Sequence, residues 1–155
     1  MRKNGLLVAV IAVASCLAIS VAAQPDSPTP FVGDTSQLTR EASDFRRVLH
    51  TGEHLQLVLM TLWPGESIGA EVHDDVDQCL FVVEGVGRAV LDGETADLTA
   101  NSVVCVPPGI EHDVENTGAV PMRLYTLYAP PEHAPDTVHA TRADAEAAEA
   151  TETAE

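Results

Sequence analysis

The chain has 155 residues, a length that suits one domain, and it sets 8 Lys and Arg against 24 Asp and Glu for a formal charge of −16. So acidic a surface repels phosphates, which argues against nucleic acid as a partner and against docking on anionic lipid. Hydrophobic residues make up 45% of the chain but aromatics only 4%, so the core has to be built from Val, Leu, Ile and Ala. Ten Gly and ten Pro imply many turns and favour a compact β-rich domain over a helical bundle.

The chain opens on a short basic stretch, "MRKNG", followed by an apolar run of small residues from Leu6 to Ala23. Val21-Ala22-Ala23 then offers small residues before a cut near Gln24, so residues 1–23 are expected to be a secretory signal peptide. Two alternatives stay open. The apolar run is just long enough to serve as an uncleaved anchor, and "VASC" (Val13 to Cys16) resembles a lipobox. All three lead to export, to the periplasm or outside the cell. Cleavage would remove Arg2 and Lys3 and no acid, leaving six Arg and no Lys.

Residues 24–40, starting "QPDSPTPFVGDTS", are expected to be a flexible linker. Short strands are then expected at "FRRVLHTG", "HLQLVLMTL" (His54 to Leu62), "AEVH", "QCLFVVEG", "GRAVLDGE", "VVCVPPG", "IEHDVENTG" and "PMRLYTLYAPP". "WPGES" and "DDVD" are expected as turns, and "ADLTANS" as a connection. Strands of four to nine residues with recurring turn signals predict an all-β domain, an antiparallel sandwich or barrel over residues 41–131. Residues 132–155 are rich in Ala and acids. They predict a tail in which "RADAEAAEA" has helix propensity and stands in solvent.

Cys79 and Cys105 both lie in Val/Leu-rich runs. An exported protein can pair two cysteines, but the apolar setting favours two buried thiols.

Two segments stand out. In "GESIGAEVHDDVDQ", Gly65 is followed by Glu71, His73 and Gln78, with Gly85 beyond. In "PPGIEHDVEN", Pro107 and Gly109 are followed by His112 and Asn116. With these spacings the chain resembles the cupin superfamily over about residues 45–130. It is most similar to the small single-domain cupins described as mannose-6-phosphate isomerase-like, a label that assigns no reaction.

The resemblance implies a cupin jelly-roll β-barrel and a metal held at Glu71, His73, Gln78 and His112. Glu71 stands where the family usually has His, Gln78 where it usually has Glu, and Asn101 where a Gly usually opens the second motif. Residues 71 and 73 share one face of a strand, and a turn at 74–77 brings Gln78 back to the same interior. Two imidazoles, a carboxylate and an amide oxygen suit a divalent transition metal such as Fe, Mn, Ni or Zn. Asp74, Asp75 and Asp77 are expected to form a solvated turn. His50, His54, His133 and His139 have no partner by spacing and are expected at the surface. Tyr125 and Tyr128 point to opposite faces of their strand, and either one could face the pocket.

Two classes of function fit: a metal-dependent enzyme on a small exported molecule, and a binding module for a sugar or organic acid. The departures at Glu71 and Gln78 leave room for a barrel with no metal at all. The resemblance also implies a homodimer. Phosphorylated sugars are an awkward ligand for so acidic a chain unless Arg88 or Arg123 forms a local basic pocket.

Overall fold

The computed structural model describes residues 30–152. The signal segment expected at residues 1–23 lies outside the described residues. The expected linker ends sooner than its polar composition suggests, because Thr35–Glu41 forms a helix, α1. Asp34 caps it, accepting from the Gln37 amide at 3.0 Å, and Thr39 is fully buried beneath it.

The described strands are β1 (Arg46–Thr51), β2 (Gln56–Leu62), β3 (Asp77–Glu84), β4 (Val86–Leu91), β5 (Glu94–Thr99), β6 (Val103–Val106), β7 (His112–Asn116), β8 (Met122–Ala129) and β9 (Val138–His139), and a second helix, α2 (Arg142–Glu152), follows them. They form two antiparallel sheets, a six-stranded one in the order β6-β3-β8-β2-β1-β9 and a three-stranded one in the order β5-β4-β7. Alternate residues of β3 and β8 point inward. Leu80, Val82, Met122 and Leu124 meet Val58, Met60 and Leu62 of β2, and Ala89, Leu98 and Val114 from the smaller sheet. Each large aliphatic side chain buried there contributes roughly 1.5–3 kcal/mol. This is the all-β jelly-roll barrel expected, with the aliphatic core that the composition requires.

Every residue of β2 is buried, because both its faces are covered. The inner face meets the core and α1 packs across the outer one. The end of α1 is tied down by Thr61 Oγ1, which donates to the Ala42 carbonyl at 3.1 Å. Arg123 Nη1 donates to the same carbonyl at 2.9 Å and also to that of Arg40.

Several expectations need correction. Much of "ADLTANS", expected as a connection, is in β5. It pairs with β4 from Val86–Thr99 to Leu91–Glu94 around a tight turn in which Asp92 and Gly93 both have positive φ. β5 is an edge strand with only Leu98 buried, so it carries no apolar alternation to read. "AEVH" makes a single isolated bridge, Glu71 to His112, rather than a strand.

Cys79 and Cys105 are not two free thiols. The β3–β6 register sets them directly opposite, and they form a disulfide. The tail does form a helix, α2, but the helix is docked rather than solvated. Ala145 is only 2% exposed within the core cluster. Arg142 Nη1 donates to the Ser67 carbonyl and hydroxyl at 3.2 and 3.0 Å, and Arg46 Nη1 donates to Glu149 at 2.7 Å. The helix is thus tied to Ser67 through Arg142 near its start and to β1 through Glu149 further along.

Candidate metal centre

The centre starts from one backbone pairing. Glu71 and His112 exchange two hydrogen bonds, each amide donating to the other's carbonyl at 3.0 Å. Residues paired in this way across antiparallel backbones present their side chains on the same side. His73, two residues on, returns to that face. The turn after Pro107 and Pro108 is fitted against it: Gly109 has φ +83°, which an L side chain resists, and its amide donates to the His73 carbonyl at 2.7 Å. Gln78, near the start of β3, points inward opposite Tyr128 of β8.

These placements bring Glu71, His73 and His112 together so that one ligand atom from each lies within 4.8 Å of the others. Glu71 Oε1 is 3.5 Å from His73 Nε2 and 3.4 Å from His112 Nε2. Ligands about 2.1 Å from a common ion stand roughly 3.0–3.5 Å apart, so these separations match a shared cation. Gln78 joins them, its Oε1 lying 2.6 Å from His112 Nε2 while its Nε2 donates to the Tyr128 hydroxyl at 2.9 Å. Asp74, Asp75 and Asp77 are exposed, as expected of a solvated turn.

The donor set fits a divalent metal on two further grounds. His73 Nε2 is buried and has no hydrogen-bond partner, a cost that a coordinated ion removes. His73 Nδ1, on the far side of the ring, lies 3.3 Å from the Glu132 carboxylate, an acceptor that holds the proton on Nδ1 and turns the Nε2 lone pair to the centre. The field in the centre is consistent with this. Burial alone would push the Glu71 carboxyl up, but His112 and His73 more than offset it and bring it down to about 2. Glu71, with Glu132 behind it, raises His73 against the effect of burial.

β8 and the loop after it add two residues, one of the two candidate tyrosines and one residue that sequence reasoning missed. Tyr128, 1% exposed, is the tyrosine that faces the centre. Burial pushes its hydroxyl far above the ordinary range, so it stays neutral. Tyr125 faces outward and stacks on Phe81 at 4.8 Å. Glu132 carried no local signal at all.

His133 was expected at the surface but is half-buried, its ring edge-on to Tyr128 at 5.1 Å. Its backbone is clamped at both ends by the buried Gln56, whose Nε2 donates to the His133 carbonyl at 2.7 Å and whose Oε1 accepts from its amide at 3.0 Å. His139 is likewise half-buried in β9, and His50 stacks on Phe31 at 5.8 Å. His54 is exposed, as expected.

A cupin-domain family model matches residues 58–128. The Bacillus subtilis protein YrkC is 44% identical over 129 residues, covering 79% of this chain and 69% of YrkC. The crystal structure of BH2720 from Bacillus halodurans matches with a TM-score of 0.76 at 40% identity, over 77% of this chain and 96% of that one. Mannose-1-phosphate guanylyltransferase ManC of Salmonella typhimurium is 32% identical over 76 residues, which is 49% of this chain but 16% of ManC. A two-sheet jelly roll with paired histidine motifs defines a class of barrel proteins, and this chain belongs to the cupin family.

Proposed function

We propose that this cupin binds one divalent transition metal through Glu71 Oε1, His73 Nε2, His112 Nε2 and Gln78 Oε1, and uses it to hold and polarise an uncharged small molecule. The observation that carries the reading is the convergence of three ligand atoms within 4.8 Å around a buried, unpartnered imidazole nitrogen. A bound ion supplies Lewis acidity. The chain's own groups do the positioning: Glu132 orients His73, Tyr128 orients the Gln78 amide, and the Pro107-Pro108-Gly109 turn fixes the backbone of His73.

The charge of the ligand follows from where the cations are. Arg46 pairs with Glu149, Arg47 with Asp44, Arg88 with Glu115, Arg123 with Glu84 and Arg142 with Glu146, while Arg40 donates to the Ser36 carbonyl. None of these pairs is at the centre, which carries Glu71 and Glu132 instead. Arg88 and Arg123 therefore supply no basic pocket for a phosphate, and a neutral polyol or sugar suits the site better than a sugar phosphate.

Binding without turnover is the second reading, because among the described residues the carboxylate beside the ligand set, Glu132, is committed to His73. Export is supported by the apolar segment at 6–23 and by the Cys79–Cys105 disulfide. A homodimer is supported by the apolar outer face around Phe81, Tyr125 and the exposed Val103.

Elemental analysis of the purified chain after metal-replete expression tests the metal. One equivalent is expected in the parent, with loss in Glu71→Ala and His112→Ala. A parent free of metal after such expression would overturn the reading.

A further inference from the structure

Away from the metal centre, β1, β9, α2 and the segment after β8 enclose a cavity of about 70 Å³ lined by Arg46, His133, Thr137, His139, Ala148 and Glu149. That is room for a couple of water molecules or one small ion. Three buried nitrogens at this place have no hydrogen-bond partner: Arg46 Nε, His133 Nε2 and His139 Nδ1. The Arg46 side chain is only 3% exposed, and its charge is met by Glu149 at 2.7 Å, whose side chain is 54% exposed, and by the face of the Phe45 ring at 5.7 Å. A guanidinium N–H can only donate, and leaving it unmet in the interior is costly.

We propose that this cavity binds a small monovalent anion, a halide or a one-carbon carboxylate, seated on Arg46 Nε and on ring N–H groups of His133 and His139. Each of these unpartnered nitrogens can present a donor. Glu149 is the one acid lining the cavity, and its carboxylate is engaged by Nη1 on the other edge of Arg46. Burial first, and then the Arg46 charge, hold His133 down to about 3, so its ring stays neutral beside the guanidinium. The cavity is small, and a dianion would bring a second charge up against Glu149. A single small charge therefore fits best.

The test uses the full chain dialysed into sodium gluconate and titrated with bromide or formate at constant ionic strength. A saturable rise of a few degrees in Tm is expected with either anion, and none with further gluconate. Ala148→Leu fills the cavity from α2 while leaving Arg46 in place, and it is expected to abolish the rise. Crystals grown with bromide are expected to show an anomalous peak against Arg46 Nε that formate displaces. Water alone between Arg46 and His133 in those crystals would overturn the proposal, whatever the fate of the variant. So would an undiminished Tm response in a folded Ala148→Leu chain.

Discussion

His112 Nε2 lies 2.6 Å from Gln78 Oε1 while Nδ1 of the same ring lies 2.9 Å from the Ile110 carbonyl. That carbonyl can only accept, so Nδ1 carries a hydrogen and Nε2 is the ring nitrogen that faces the amide oxygen. Gln78 Nε2 is taken by Tyr128, which keeps Oε1 in place. Either a hydrogen on Nε2 or a cation shared with Glu71 and His73 joins two atoms this close, and the proposed metal takes the second role. Gln78→Glu adds a charge to the same geometry and is expected to tighten divalent metal binding about tenfold or more. Gln78→Leu is expected to weaken it to a similar degree. Competition titration against a chromogenic chelator reads both, and equal affinities across the three chains would remove Gln78 from the ligand set.

Glu132 touches no ligand position itself, yet its carboxylate lies 3.3 Å from His73 Nδ1. Losing that acceptor frees the ring to rotate and lowers its basicity. Glu132→Ala is expected to lower metal affinity about 10- to 100-fold. Glu132 is partly exposed, so the thermal stability of the metal-free chain is expected to change little. Glu132→Gln, which keeps an acceptor but not the charge, is expected to fall between the two. A variant that binds metal as well as the parent would show that His73 is held by its backbone alone.

What could be read from the chain divides along physical lines. Glu71, His73, Gln78 and His112 were named through the resemblance of two short segments to the cupin motifs, and strand alternation, a local property, adds only that residues 71 and 73 share a face. Strand alternation put one of Tyr125 and Tyr128 toward the pocket and only the fold selects Tyr128, while Glu132 acts through a contact across the barrel that nothing near it in the chain signals. The same reason hid the disulfide, whose cysteines are brought opposite each other only by the pairing of β3 with β6. α2 was legible as a helix from its Ala and Glu content. Its docking was not, because Ala145, the residue that enters the core, looks like every other alanine in the run.

His133 gives the fold a measurable dependence on acid. In the unfolded chain a histidine titrates near 6.5, whereas in the fold His133 is held down to about 3 by burial and by Arg46. Between those values the unfolded chain holds the proton and the folded chain does not. Lowering the pH through this window therefore favours unfolding, with a contribution that is full above about 6.5 and lost by about 3, a few kcal/mol at most. His73, raised by Glu71 and Glu132, works in the opposite direction, its stabilisation being lost as pH rises. The two are separated by comparing the parent with His133→Gln. Urea midpoints taken between pH 6.5 and 4.5, above the range in which Glu71 contributes, are expected to fall more steeply in the parent. Parallel slopes would show that His133 protonates without cost.

α2 is expected to act as part of the core rather than as a tail. Ala145 is 2% exposed and packs in the central cluster, while Ala147, two residues on along the same helix, is exposed. Both positions are helical, so Ala145→Asp and Ala147→Asp carry the same propensity cost and the same charge. They differ only in whether the carboxylate must leave water. Burying it without a partner costs about 3 kcal/mol or more, against about 0.5 kcal/mol at the exposed site. In a domain of this size that separates their Tm values by about 10 °C. Thermal unfolding of the two variants beside the parent makes the comparison. Equal, small losses in both would mean that the helix leaves the barrel in solution and that Ala145 is as solvated as its neighbour.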